Sequence, residues 1–234
     1  MKRLVRYKDE SCVYLSMTEQ SLHEQLKEVY AKETGEIEST LGGYRVDVIR
    51  GDLLIEIQTR SFSSIKDKLI DLSKGKRVRL VHPIAYQKWI IRLDKNGEHL
   101  KRRKSPKRGR VEDIFYELVY MPRLLMNHNF ELEVAMVDME EYWIDDGNGS
   151  WRRKYWSIHD KKLLKLNERH LFTDPMEFKA LIPESLPTQF TSTMLADEAG
   201  LRKRLAQKML YCLRKMNVVR RTGKRGRAYL YMVY

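Results

Sequence analysis

Acidic residues are missing from the end of this chain: none follows Glu198. Cysteine is scarce as well, with only Cys12 and Cys212, near opposite ends. Two cysteines so placed make neither a disulfide framework nor a zinc pattern, and they fit a reducing cytoplasm. Long apolar runs are absent. No stretch approaches about 18 uninterrupted apolar residues, so no membrane span is expected. The opening MKRLVRYKDE lacks the apolar centre of a signal peptide. What is present is enough for a core: 234 residues at 42% apolar make one large domain, or a medium and a small one.

The missing acids make the charge uneven. The net charge is +13, and the 11 Lys and Arg after Glu198 supply most of it. A basic tail on a nearly balanced body points to a polyanion. Nucleic acid is favoured over a membrane surface, because no amphipathic segment with a large apolar face is free of core duties.

Residues 44–58 read YRVDVIRGDLLIEIQ. Two apolar-rich runs flank Gly51-Asp52, a turn signal with Gly where a type II′ hairpin needs it. With a two-residue loop, Arg50 pairs with Leu53, Ile49 with Leu54, Val48 with Ile55, Asp47 with Glu56 and Arg45 with Gln58. Side chains alternate along a strand, so Arg45, Asp47, Glu56 and Gln58 share a face. Facing like charges repel. Leu54 lies on the same face as Glu56, so that face is not simply wet, and a carboxylate there needs a partner. Mg²⁺ and Mn²⁺, hard cations that take carboxylate and carbonyl oxygens, fit such a pair.

Asp47, a short connection and Glu56-x-Gln58 resemble the core motif of the PD-(D/E)XK nuclease superfamily. Val46 stands where a Pro is frequent, and Gln58 where the Lys is usual; Gln cannot transfer a proton as Lys can. The resemblance covers roughly residues 21–83. It implies an α/β fold, a restriction-endonuclease-like mixed sheet core flanked by helices. It also implies Mg²⁺ or Mn²⁺ held by Asp47, Glu56 and the Ile57 carbonyl, with Gln58 orienting a water. In the resembled fold an opening helix can bring a further acid, for which Glu24 is positioned. Glu38 is the preferred third carboxylate, on a strand expected to pair with residues 44–49 across Gly42-Gly43.

The surrounding pattern agrees in order. Residues 1–20 say little, beyond a short strand expected at 12–15. Residues 21–32 form an expected helix with Ser21 as N-cap and Leu22, Leu26, Val29 and Tyr30 on one face. His23 borders that stripe and reads as a packed histidine. A helix is expected at 64–73, buried through Ile65, Leu69 and Leu72, with Lys66, Lys68 and Lys74 elsewhere. A strand follows at 77–82, parallel to 53–58 and stopped by Pro83. Residues 86–93 read as another strand. The run 101–110, KRRKSPKRGR, reads as a charged loop that contacts phosphates, with Lys107 and Arg108 as candidates. A helix is expected at 111–121 and a strand at 130–137, with Glu131 and Glu133 facing solvent. The aromatics Trp143, Trp151, Tyr155 and Trp156 flank the turn signal at 146–149, interleaved with Arg152, Arg153 and Lys154. They read as packing a hairpin onto the body; stacking bases is the alternative. Short helices are expected at 161–166 and 175–181.

Residues 188–234 resemble a winged helix-turn-helix domain. A short helix capped by Thr191 precedes a turn at Gly200. A longer helix, 201–216, buries Leu205, Met209, Cys212, Leu213 and Met216. Two strands follow around a basic turn at 223–227. In such domains the second helix usually enters the major groove and the wing lies on nearby backbone. That makes Arg202, Lys203, Lys208, Lys224, Arg225 and Arg227 the candidate DNA-binding residues. The expected organisation is a nuclease-like domain at 1–140, a connecting hairpin and helical segment at 141–186, and the winged helix at 187–234. The expected activity is a metal-dependent DNA endonuclease acting on duplex or branched DNA, with a homodimer possible. The alternative is a catalytically inactive nuclease-fold regulator that binds DNA, which Gln58 favours.

Overall fold

The structure is a computed structural model describing residues 6–7, 21–32 and 36–234. The strand expected at 12–15 and Cys12 lie outside these residues. Helix α1 (Leu22–Ala31) begins where Ser21 Oγ accepts the Glu24 N–H, and it buries Leu22, Leu26 and Tyr30. Strands β2 (Glu36–Leu41), β3 (Tyr44–Arg50) and β4 (Leu53–Ile57) follow as an antiparallel meander. Gly51 has φ +58° and Asp52 is not among the positive-φ residues, which suits a type II′ turn. The pairs Arg50↔Leu53, Ile49↔Leu54 and Val48↔Ile55 are those the hairpin spacing predicts.

A 3-10 turn (Phe62–Ser64) and α2 (Lys66–Leu72) then cross to β5 (Arg77–Leu93), which runs parallel to β4. Pro83 does not stop β5, contrary to the expectation. Val81 O accepts from the Gln58 N–H, so Val81 faces β4, and Pro83 two residues on faces the same way. The named pairs end at Ile57↔Val81, so the N–H that Pro83 lacks has no partner to miss.

Strand β6 (His99–Lys104) folds back on the far part of β5, which makes strand of residues 101–104 instead of loop. A 3-10 turn (Val111–Ile114) and the single-turn α3 (Phe115–Leu118) lead to β7 (Phe130–Ile144), parallel to β5. Strand β8 (Ser157–Phe172) returns antiparallel. Residues 161–166 therefore lie in a strand, not the expected helix. The run KKLLKL suits either period, and pairing with β7 decides it: Lys161 lies opposite Glu141 and Leu163 opposite Met139. Residues 175–181 do form a 3-10 helix.

With β1 (Arg6–Tyr7) on β8, the strand order is β1-β8-β7-β5-β4-β3-β2, and β6 pairs with β5. This is a mixed α/β fold. Helix α1 covers one face over Val48, Ile55, Ile57, Val81 and Val137. The other face buries Leu54, Phe62, Leu69, Leu80, Phe115 and Leu132. That core continues into α4 (Ser192–Glu198) and α5 (Lys203–Lys215) through Leu195, Leu205, Met209 and Leu213. Thr191 Oγ1 caps α4, and Gly200 makes the turn at φ +62°. The hairpin β9 (Val219–Arg225) and β10 (Ala228–Val233) closes the chain. Its turn narrows to Gly226-Arg227, because the strand runs on through Arg225. No helix among the described residues is long and apolar enough to cross a membrane.

Candidate functional site

The ladder between β3 and β4 ends at Val48↔Ile55. One residue further, Asp47 Oδ2 takes the Ile57 N–H at 2.8 Å, a backbone group the neighbouring strand would otherwise pair. Glu38 sits opposite this point on β2, between the pairs Ile37↔Val48 and Ser39↔Val46. It adopts φ +58°, a conformation costly for a non-glycine residue, and interrupts the ladder there. The strands thus part at Asp47, and the site sits where they part.

Glu56 is buried on β4, at 4% exposure. Its Oε1 lies 2.6 Å from Lys68 Nζ on α2, close enough for an ion pair but off the line of a hydrogen bond. Loss of water outweighs the attraction of Lys68 and pushes its pKa up to about 7. Burial also works against Asp47, but hydrogen bonds from His23 and the Ile57 N–H outweigh it and lower its pKa.

His23 is the partner of Asp47. Its Nε2 lies 3.2 Å from Asp47 Oδ2 and its Nδ1 3.3 Å from Glu24 Oε1. The hydrogen bond to Asp47 raises its pKa despite burial. Lys27 carries the network on, 2.7 Å from Glu24 and 2.5 Å from Glu38. Arg45 pairs with the other oxygen of Glu38. Lys27 and Arg45 lower the Glu38 pKa, and Lys27 lowers that of Glu24. Lys68 also donates to the Arg45 carbonyl. The four acids the sequence singles out, Asp47, Glu56, Glu38 and Glu24, therefore sit among His23, Lys27, Arg45 and Lys68.

Gln58 is differently placed. Its Nε2 donates to Ser61 O at 2.9 Å and Ser64 Oγ at 2.8 Å, which uses both amide protons. Only its Oε1 is left to accept from a water. Its backbone oxygen accepts from His82 Nδ1 at 2.6 Å.

Among the described residues no group of three or more His, Cys, Asp and Glu gathers as a metal site. A Mg²⁺-like ion asks for less, since it keeps several waters and takes one or two carboxylates. Asp47 and Glu56 fit that requirement. Both offer oxygen, and Glu56 Oε1 is a buried oxygen without a hydrogen bond. Such an ion would compete with His23 and Lys68 for the same oxygens.

The candidate DNA-binding residues fall in three places. Lys107 and Arg108 follow β6, with the Arg108 guanidinium 5.5 Å from the Tyr86 ring centre. This loop is held against β5 by Gly109. Its N–H bonds Ala85 O at 2.8 Å, and a Cβ there would lie 2.5 Å from that oxygen. Arg110 then reaches the α4–α5 turn, donating to Ala199 O at 2.8 Å. Arg202 and Lys203 are exposed at the start of α5, and Lys208 lies over the Tyr116 ring. Lys224, Arg225 and Arg227 are exposed on the β9–β10 hairpin.

Glu131 and Glu133 do not face solvent, contrary to the expectation. Both are buried, because β7 is an inner strand and arginines of β5 and β8 meet them. Two functional candidates were missed by sequence reasoning. His23 reads as a core residue because it borders the stripe of α1. Lys68 reads as a solvated helix lysine; its only signal is its place beside Leu69, which turns it toward β4.

A family model described as Domain of unknown function (DUF8091) matches residues 20–173. The chain belongs to that family. The DUF8091 stretch runs from the cap of α1 to just past β8, so it holds every residue of the Asp47–Glu56 network and excludes α4, α5 and the last hairpin. An uncharacterized protein of Treponema pallidum (strain Nichols) is 29% identical over 215 residues, covering 91% of this chain and 84% of that protein. That span is longer than the DUF8091 stretch. No solved structure matches.

Proposed function

We propose that this chain is a metal-dependent DNA endonuclease, with a restriction-endonuclease-like core and a C-terminal winged helix that holds DNA. One observation carries the reading: a buried carboxylate with a pKa near 7, Glu56, lies beside a second, Asp47, where two strands part. Helix, three-strand meander, helix and parallel strand follow in the order the nuclease resemblance implies. The basic tail supplies the means to hold a polyanion.

Asp47 and Glu56 would hold Mg²⁺ or Mn²⁺, with the Ile57 carbonyl and waters as further ligands. When bound, the metal acidifies a water and offsets charge on the phosphate. His23 and the Ile57 N–H keep Asp47 ionised and aimed. Lys68 fixes Glu56 and brings an ammonium where Gln58 brings none. Gln58 accepts from a water through Oε1 and cannot take a proton from it.

The test incubates supercoiled, linear, single-stranded and branched DNA with Mg²⁺ or Mn²⁺. Cleavage should require the metal and disappear in Asp47→Asn and Glu56→Gln. Cleavage that survives in both variants removes this pair from the mechanism. A second reading, a non-catalytic DNA-binding regulator, draws on a specific observation. His23 and Lys68 already neutralise the two carboxylates, and the amide of Gln58 is engaged by Ser61 and Ser64. Tight duplex binding with no metal uptake and no cleavage would favour it.

A further inference from the structure

Of the four aromatics at the β7–β8 hairpin, Trp143 and Trp156 are half-buried, with the Arg92 guanidinium 4.9 Å from the Trp156 ring centre, but the two at the tip do not pack onto the body as expected. Trp151 is 71% exposed and Tyr155 59%. Their presentation is built, not loose. Lys154 and Tyr155 take φ +53° and +67°, two successive left-handed residues without glycine. Gly149 donates to Tyr155 O at 2.7 Å, and a Cβ at 149 would come 1.8 Å from Trp156 O. Arg153 Nε donates to Trp156 O at 3.0 Å, and Ser157 Oγ to Asp146 at 2.8 Å. These bonds hold a turn from which the Trp151 side chain faces water.

Cations gather below this tip. Lys161 on β8 lies opposite Glu141 on β7. Glu141 Oε2 is already held by Lys88 Nζ at 2.8 Å and Trp143 Nε1 at 3.0 Å. Among the described residues no carboxylate lies within ion-pair distance of Lys161. Burial lowers the Lys161 pKa, Glu141 offsets part of that, and the charges of Lys88, Arg60 and Arg153 lower it further. Lys88 and Lys161 thus share one carboxylate, and Arg60 and Arg153 lie near enough to act on the charge of Lys161. Arg60 is two residues past Gln58, so the cluster adjoins the strand end that carries Glu56.

We propose that this surface binds an unpaired nucleic-acid strand, whose phosphates meet Lys161, Lys88, Arg60 and Arg153 and one of whose bases stacks on Trp151. Arg152 lies over one face of the Trp151 ring, 5.4 Å from its centre, and the other face is offered to a base; a base within a duplex has no face free to take it. The cations follow the sugar-phosphate backbone, which every sequence presents alike. The surface rests on the nuclease reading only for the path of the strand, which leads on past Gln58 to Asp47 and Glu56. It implies a substrate with a single-stranded or frayed segment.

The experiment measures binding of the full chain to an oligothymidylate and to a duplex, both in EDTA so that cleavage plays no part. Trp151→Ala should weaken oligothymidylate binding roughly tenfold or more, the effect of losing one base–aromatic stack. Duplex affinity should stay within about twofold. Lys161→Gln should flatten the slope of log K against log salt on the single strand by about 0.7, the share of one phosphate. Lys161→Arg should restore it. Arg60→Gln changes an exposed side chain and gives the same readout should Lys161→Gln fail to fold. Unchanged oligothymidylate affinity in Trp151→Ala, or equal losses on both DNAs, overturns the proposal. Failure of the nuclease reading shows itself separately, as absent cleavage with Mg²⁺ while these binding differences persist.

Discussion

Two pairs of acidic side chains lie in the same sheet, Glu131 with Glu133 both buried and Glu56 buried beside a half-buried Asp47, and their surroundings differ. Glu131 and Glu133 on β7 meet a full set of donors. Arg77 lies 2.9 Å and Arg79 2.8 Å from Glu131, while Arg79 at 3.2 Å, Arg169 at 3.8 Å and the Tyr30 hydroxyl reach Glu133. Asp47 and Glu56 have one histidine, one lysine and one backbone N–H between them. Arginine offers five donors in a planar fork, which suits a permanent carboxylate partner. Lysine and histidine give up their contacts more readily. The first pair is thus sealed into the fold, and the second meets fewer donors. Burial alone does not mark a site; burial with incomplete compensation does.

The largest effect that separates the two pairs concerns cleavage. Asp47→Asn should lower metal-dependent cleavage by roughly a thousandfold or more, the several kcal/mol that a Lewis-acid metal supplies. DNA affinity should change little. Glu131→Gln should leave cleavage within a few fold of the parent, and a loss as great as that of Asp47→Asn would erase the distinction.

Stability should run the other way. Glu133→Gln strands Arg79 and Arg169 beside a neutral side chain and should cost about 3 kcal/mol, the lower end for breaking a buried pair. Urea unfolding measures it. A smaller loss than that of Asp47→Asn would show that the β7 pair is not structural.

The pH dependence sharpens the comparison. Folding raises the Glu56 pKa from 4.5 to about 7, so the folded state keeps a proton that the unfolded state releases. Stability from this group is full below the unfolded value and is lost as pH climbs through about 7. His23, also raised, adds a loss of the same sign above its ordinary value of 6.5. Asp47, lowered, contributes above 3.8 and loses that as pH falls. Between pH 5 and 8 the Glu56 share amounts to roughly 3 kcal/mol. Glu56→Gln should remove most of that decline and exceed the parent in stability at pH 8. A parent whose stability rises across this window would contradict the assignment.

The smallest effect lies far from either pair. Neutralising Lys224 and Arg225 should flatten the salt dependence of duplex binding by about 0.9 for each phosphate these side chains neutralise. An unchanged slope would mean that the last hairpin does not touch DNA.

Local chemistry made the meander legible. Gly51-Asp52 sets the register as far as Val48↔Ile55; the expected pairs Asp47↔Glu56 and Arg45↔Gln58 do not form, because Asp47 Oδ2 takes the Ile57 N–H where the strands part. The parallel return to β5 followed from strand, helix and strand in succession. Partners distant in sequence were not legible. Whether Glu131 and Glu133 meet water depends on β7 lying between β5 and β8, which no local pattern records. Lys68 looks like any helix lysine until α2 is laid across β4. Residues 161–166 fit two periodicities, and only β7 resolves them.

Calorimetric titration of the protein with Mg²⁺ or Mn²⁺ near pH 6.5, in two buffers of different ionisation enthalpy, tests the central claim. Uptake at Asp47 and Glu56 must displace the proton that Glu56 holds below about 7, so binding should release protons. It should vanish in Asp47→Asn and Glu56→Gln and persist in Glu133→Gln. Absent uptake, or uptake indifferent to the first two variants, would contradict a metal centre at this pair.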